Sequence, residues 1–301
     1  MRLRHAILGV GGVGGTVGTL LAHLGDSVTV VVKTESFATY PDQLHLESPF
    51  GNFTASVVRA KEVPACDVLW LTIKATQLDA ALRAVTPAEA VGAIVPLLNG
   101  IDHLSVLRAK FGNDRVIAAT IAGEMERISP GEFVHRSPFL RLNVSSAGQT
   151  LLSGAIEGLQ KIGVECRFIE DEPTLMWGKL VFLAAFALTT TASEKTTGEI
   201  LTDPEWRQLG LSVIREACAV AVAEGAKLDA DAVIAGVMKM PGNMRSSMQK
   251  DVAQGKPPEL DAIAGPILRG GYRHGIVTPA TQRLADAVRA RSVGAGNPQS
   301  T

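Results

Sequence analysis

The feature that most limits what this chain can become is a run of five glycines, Gly9, Gly11, Gly12, Gly14 and Gly15, placed between two segments of opposite periodicity. His5 to Gly9 reads as a short buried strand. Beyond the glycines, Val13, Val17, Leu20, Leu21 and Leu24 keep helical spacing until Gly25, and Ser27 to Val32 reads as a second strand. A strand, a glycine turn, a helix and a second strand make a βαβ unit of about 30 residues, with parallel strands and a right-handed crossover. Gly9, Gly11 and Gly14 stand in a GxGxxG pattern. The first permits a tight turn, the second lets a pyrophosphate approach the backbone, and the third lets helix and strand pack closely. Gly12 and Val13 complete the loop at a helix N-terminus, whose N–H groups face the phosphates. The loop residues Gly9, Gly11, Gly12, Val13 and Gly14 are therefore the candidate dinucleotide-binding set.

The end of the second strand bears on which dinucleotide. A site for NAD places Asp or Glu there to accept hydrogen bonds from the ribose, whereas this chain has Lys33 followed by Thr34. A cation suits a 2′-phosphate, so NADP(H) is the expected cofactor, although Glu35 lies two residues on.

The open α/β pattern continues. Val68 to Ile73, Ala93 to Leu97 and Val116 to Thr120 read as strands, alternating with helical patterns at Gln77 to Val85 and His103 to Phe111. Short apolar runs between Glu132 and Val144, broken by His135, Arg136, Ser137 and Pro138, predict an antiparallel hairpin at the sheet edge. After the acidic stretch Glu170, Asp171 and Glu172, the segments Leu175 to Thr190, Pro204 to Glu224, Asp231 to Met238 and Asp261 to Arg273 all read helical. The expected fold is α/β, with an N-terminal Rossmann-type doubly wound sheet over residues 1–169 and an all-helical substrate and dimerisation domain over residues 170–301. The polar, glycine-rich stretch from Ser292 reads as a loose tail.

Composition narrows the partners. With 29 Lys and Arg against 30 Asp and Glu, and no basic stripe, the electrostatic footprint of a nucleic-acid binder is missing, and a small molecule is the expected partner. The apolar run Leu180 to Leu188 is far below the roughly 20 residues that cross a bilayer, so no membrane partner is expected. The glycines after Arg2 and Arg4 interrupt what would otherwise resemble a secretion signal. Cys66, Cys166 and Cys218 are odd in number and far apart, which fits a reducing, cytoplasmic setting. There is no HExxH or CxxC, and the six histidines are dispersed, so no metal is expected.

Taken in order, the segments ILGVGGVGG, LTIKATQ, LLNGID, MWGKLVF, RSSMQKD, PPELDAIAG and RHGIVTP resemble the ketopantoate reductase (2-dehydropantoate 2-reductase) family, from about residue 5 to residue 291. The resemblance implies NADPH-dependent reduction of a small 2-keto acid to a 2-hydroxy acid, a place in pantothenate biosynthesis and a homodimer. It implies Lys179 as the catalytic lysine, protonating the carbonyl oxygen as hydride arrives, with Glu259 as its catalytic partner. Asn99 is implied on both the substrate and the cofactor side, Lys74 at the cofactor edge and Ser247 beside the substrate. Read without the family, Lys179 is a lysine snorkelling from a helix surface, Asn99 an Asn-Gly turn, Lys33 and Lys74 solvated strand ends, Glu259 a helix-start glutamate and Ser247 a cap.

The chain departs from the family at Leu183, Ala187 and Ala264, where the resemblance implies asparagines. Leu183 and Ala187, four and eight residues after Lys179, are then substrate-binding positions that favour a more apolar 2-keto acid, unless Thr189, Thr190 or Ser193 compensates. Reduction of a different keto or imino acid, and a non-catalytic NADP(H)-binding sensor, are the alternatives.

Overall fold

In the computed structural model, which describes residues 2–83, 85 and 90–295, the glycine run turns the chain from β1 (Arg4–Leu8) into α1 (Gly12–His23) and on to β2 (Ser27–Val31). Then come β3 (Gln43–Ser48), β4 (Gly51–Ser56), β5 (Val58–Ala60), β6 (Cys66–Leu71), α2 (Leu78–Leu82), β7 (Val91–Pro96) and α3 (His103–Phe111). β8 (Ala119–Ala122), β9 (Met125–Ser129), β10 (Glu132–His135), β11 (Arg141–Ser145), α4 (Gln149–Lys161) and β12 (Glu165–Ile169) complete this part. A five-stranded sheet in the order β5-β2-β1-β6-β7 is parallel at every pairing. Its central strands bury nearly every residue, including Ile7, Val30, Val68, Leu69 and Trp70, as a parallel sheet covered on both faces requires. β1 lies between β2 and β6, so the chain reverses direction across the sheet beside β1. The carboxyl ends of strands at such a reversal are where open sheets bind ligands.

Two smaller sheets, β4-β3-β10-β9 and β12-β11-β8, were not foreseen as separate layers. The hairpin expected between Glu132 and Val144 does not form. β10 pairs antiparallel with β9 and parallel with β3, while β11 pairs antiparallel with β8 and parallel with β12. The link between them is held as a bend by the buried His135, whose Nδ1 meets Ser48 Oγ at 3.0 Å and whose Nε2 meets Ser137 Oγ at 2.9 Å. β9 and β10 form one hairpin, and a second is β3–β4, a stretch to which the sequence reading assigned nothing. Its Leu44, Leu46, Phe53 and Ala55 alternate inward. α2 is shorter than the expected Gln77 to Val85: Gln77 belongs to a 3-10 turn over Ala75–Gln77, and the helix stops at Leu82 with Arg83 as its C-cap.

The chain divides into two compact units, Met1–Leu98 with His103–Glu172, and Asn99–Asp102 with Pro173–Thr301. The second therefore begins three residues beyond residue 170 and takes in a four-residue turn from the α/β half. Its helices are α5 (Glu172–Ser193), α6 (Thr197–Thr202), α7 (Pro204–Ala223), α8 (Ala230–Val237), α9 (Ser247–Ala253), α10 (Leu260–His274) and α11 (Pro279–Ala295). α6, α9 and α11 were missing from the sequence reading. α11 also runs through Ser292, where a loose tail was expected; the rest of that tail lies outside the described residues.

α5 spans 22 residues, long and apolar enough to cross a membrane, but 72% of its most apolar window is buried inside the protein. Val181, Ala184, Ala185 and Leu188 pack against Val213, Ile214 and Ala217 of α7, Ile263 and Ile267 of α10, and Leu284 and Val288 of α11. It is the core helix of the second unit. Asp203, followed by Pro204, caps α7 through its side chain, and Gly275 ends α10 in the left-handed conformation at φ 67°.

Candidate active site

The first unit builds its ligand-facing surface from the glycine loop. Gly9 has φ 105°, which L side chains rarely adopt, and a Cβ there would collide with Ile73. A Cβ on Gly14 would strike the Gly9 carbonyl and Thr72 Oγ1, so only glycine lets α1 approach β1 and β6 this closely. A Cβ on Gly11, by contrast, would meet no atom within 4 Å. Gly11 is the N-cap of α1 and offers no side-chain hydrogen bond to the first turn, so the first-turn N–H groups lack a side-chain acceptor. Such an open, uncapped helix N-terminus fits a pyrophosphate.

The loop is braced from both sides. Gly11 N–H donates to Gly9 O at 2.8 Å, and Thr72 Oγ1 donates to Gly9 O at 2.7 Å, tying β6 to the end of β1. Lys74 follows two residues later, half-buried at the start of a 3-10 turn. Lys33 stands just past β2 with its side chain 80% exposed and Nζ 4.0 Å from Glu35 Oε1. Arg127 on β9 donates from Nη1 to Val10 O at 3.4 Å, a further cation at the loop that the sequence reading missed because it did not recognise β9 as a strand.

The second unit holds a separate polar cluster. Lys179 sits on α5 between the buried Trp177 and Leu180, half-buried itself. Burial pushes its ammonium pKa down from 10.5 to about 8, against the opposing pull of the Glu259 carboxylate. Among the described residues, no group of the chain hydrogen-bonds or directly ion-pairs with Lys179 Nζ. Its donors therefore remain available to a ligand. Glu259, 7% exposed at the start of α10, accepts from Asn99 Nδ2 at 2.9 Å through Oε2. It occupies the N-cap position but makes no capping hydrogen bond, so its carboxylate is turned to this cluster rather than to its own helix.

Asn99 reaches Glu259 because its turn belongs to the second unit. Gly100 has φ 84°, and a Cβ there would collide with the Ala262 carbonyl on α10. Arg269 pairs with both Asp102 and Asp261, fixing the far end of the same turn. The Asn-Gly turn is thus real, and it is also what presents the amide.

The remaining expectations divide. Ser247 is exposed at the first residue of α9 and is not the cap; that is Ser246, 1% exposed, whose Oγ accepts from Gln249 N at 3.1 Å and from Thr190 Oγ1 at 2.7 Å. Leu183 is half-buried one turn after Lys179. Ala187, expected to line the substrate site, is instead 1% exposed within the helical core, and Ala264 is 2% exposed there. Neither methyl group presents a surface. Among the described residues, no group of three or more His, Cys, Asp or Glu side chains is placed to hold a metal ion.

Comparison with known proteins accounts for both units. Residues 5–148 match the family model described as ketopantoate reductase PanE/ApbA, and residues 173–292 match the model of its C-terminal part. The 2-dehydropantoate 2-reductase of Caulobacter vibrioides is 30% identical over 298 residues, covering 96% of this chain and 99% of that protein. That of Archaeoglobus fulgidus is 24% identical, covering 95% and 97%. The crystal structure of a PanE/ApbA family ketopantoate reductase from Ralstonia eutropha superposes with a TM-score of 0.85 at 25% identity, over 98% of this chain and 100% of that one. A D-mandelate dehydrogenase, solved with NADH and anilino(oxo)acetate, shares the fold at a TM-score of 0.85 and 19% identity, over 98% of this chain and 100% of that one. Matched in order across both units, the chain belongs to the ketopantoate reductase PanE/ApbA family, whose members are oxidoreductases that act on a small keto acid with a nicotinamide cofactor.

Proposed function

We propose that this protein reduces a 2-keto acid to the 2-hydroxy acid with NADPH, and that Lys179 delivers the proton. The observation that carries the reading is the state of that lysine: half-buried, without a direct hydrogen-bond partner among the described residues, and lowered to about 8. Reduction of a ketone builds negative charge on its oxygen. An ammonium in a low-dielectric setting both stabilises that charge and can release a proton near neutral pH. Glu259 opposes the effect of burial and keeps Lys179 protonated at pH 7, while the Asn99 amide holds the carboxylate in place. When bound, the nicotinamide supplies the hydride; the proton from Lys179 Nζ completes the hydroxyl group. Relatives named 2-dehydropantoate 2-reductases support the substrate class.

Gly9, Gly11, Gly12, Val13 and Gly14 would hold the pyrophosphate, with Lys74 at the cofactor edge and Lys33 taking the 2′-phosphate of NADP(H). Support for NADP over NAD is the exposed cation just past β2, where an NAD site places a carboxylate. The proposal also places the enzyme in the cytoplasm, where its three buried free thiols suit a reducing milieu, and as a homodimer by family resemblance.

Lys179→Met tests the assignment. It should leave NADPH binding, read by cofactor fluorescence, unchanged while turnover falls roughly 100-fold or more; normal turnover removes the role. Lys33→Asp should weaken NADPH binding about tenfold or more with NADH nearly unaffected. Equal losses would count against NADP.

A further inference from the structure

We propose that the acid reduced here carries a bulky apolar group beside its keto carbon, aromatic or branched aliphatic, which lies on the face of α5 formed by Leu183, Phe182 and Phe186. The inference rests on Lys179 being the proton donor, because that residue fixes where the keto oxygen must lie.

Phe182, Leu183 and Phe186 follow Lys179 by three, four and seven residues, so all four share one face of the helix. All four are half-buried, whereas Val181, Ala184, Ala185, Ala187 and Leu188 on the other side are buried in the core. The Phe182 and Phe186 rings pair at 6.2 Å between centroids, tilted by 40°, and neither ring belongs to that core. With a rise of 1.5 Å per residue, Leu183 lies about 6 Å and Phe186 about 10 Å along the axis from Lys179. An acid whose carbonyl oxygen meets Lys179 Nζ and whose substituent extends along the helix covers Leu183 first and then reaches the phenyl rings.

Three of the hydroxyls farther along this helix are already engaged. Thr189 Oγ1 donates to Ala185 O at 2.6 Å, Thr190 Oγ1 lies 2.7 Å from both Phe186 O and Ser246 Oγ, and Ser193 Oγ donates to Thr189 O at 2.7 Å. Each hydroxyl is engaged by its own helix or its neighbour. Asn99 Nδ2 is engaged by Glu259, and Ala187 and Ala264 lie in the core. A substrate hydroxyl laid over Leu183 and the two phenyl rings would lose water against apolar groups, whereas an apolar substituent would gain from the same desolvation.

The test is kcat/KM at saturating NADPH for three probes: 2-oxo-2-phenylacetate, 4-methyl-2-oxopentanoate and the hydroxylated, branched ketopantoate. Wild type should favour at least one apolar acid over ketopantoate by tenfold or more. Leu183→Asn should close or reverse that ratio, and Phe186→Leu should lower the phenyl acid selectively, giving a second readout with an apolar replacement. Preference of the wild type for ketopantoate, or a ratio unmoved by both variants, overturns the inference and leaves the reductase reading intact. Reduction of none of the acids would instead overturn the reductase reading, and this inference with it.

Discussion

Glu259→Gln isolates the electrostatic part of the chemistry. Glutamine keeps an oxygen to accept from Asn99 Nδ2, so the geometry survives while the negative charge is lost. In the native protein, burial draws Lys179 down to about 8 and Glu259 pulls the other way. Reduction needs the ammonium form, so kcat/KM should be level below pH 8 and fall about tenfold per pH unit above it, while oxidation of the hydroxy acid rises through the same range. Losing one close opposite charge lowers such a pKa by about one unit or more. The variant's breakpoint should therefore move to about 7 or below, and at about pH 8 its rate of reduction should be several-fold lower than that of the wild type. The assay is initial rates of NADPH oxidation from about pH 6 to about pH 10, repeated with deuterium at the transferred position so that only profiles limited by hydride transfer are compared. A breakpoint that stays in place or rises in Glu259→Gln would refute the argument, because removing an anion cannot stabilise the ammonium.

Two further outcomes follow from buried polar chemistry. His5, 1% exposed, receives the Trp70 Nε1–H at its Nδ1 at 3.1 Å, which leaves Nε2–H facing Asp26 Oδ2 at 3.1 Å. Burial holds its pKa below 6.5 despite Asp26, so the folded state prefers neutral histidine. That contribution is complete above pH 6.5 and is lost as pH falls through the lower folded value. His5→Gln should flatten the loss of stability between about pH 7 and about pH 5 in urea unfolding; an unchanged slope would place the acid sensitivity elsewhere. Ala187→Asn should destabilise the protein by about 2 kcal/mol or more through overpacking and an unsatisfied buried amide, whereas Leu183→Asn should cost about 1 kcal/mol. Thermal melts of the two variants decide this, and equal losses would mean that both positions are buried alike.

The elements legible in the sequence are those whose signals are local. The βαβ unit could be read because its glycines answer in part to local geometry, Gly9 to its own φ and Gly14 to the nearby Gly9 carbonyl, even though both also meet the end of β6 at Thr72 and Ile73. α3 spans the expected His103–Phe111, and α7 begins at the expected Pro204, where proline at the first helical position follows an aspartate cap. What escaped is set by distant partners. Nothing near β10 and β11 says that their neighbours are β3, β9, β8 and β12 rather than each other. Asn99 was placed with the α/β half because its turn follows a strand. Its membership of the helical unit comes from Gly100 meeting Ala262, more than 160 positions away.

The same limit explains the fate of the two positions singled out after Lys179. As sequence, Leu183 and Ala187 look equivalent, one turn and two turns onward. A helix of 3.6 residues per turn does not return to its starting direction, however: four residues rotate the side chain by about 40° and eight by about 80°. Leu183 stays on the face of Lys179, and Ala187 is carried round into the packing against α7 and α10. At seven residues the rotation is about 20° the other way. The position that aligns with Lys179 two turns on is therefore Phe186, half-buried and outside the core, which spacing by fours could not single out. An apolar substituent on this surface follows from the turn of the helix together with the hydroxyls that α5 already engages, and not from the two replaced amides counted alone.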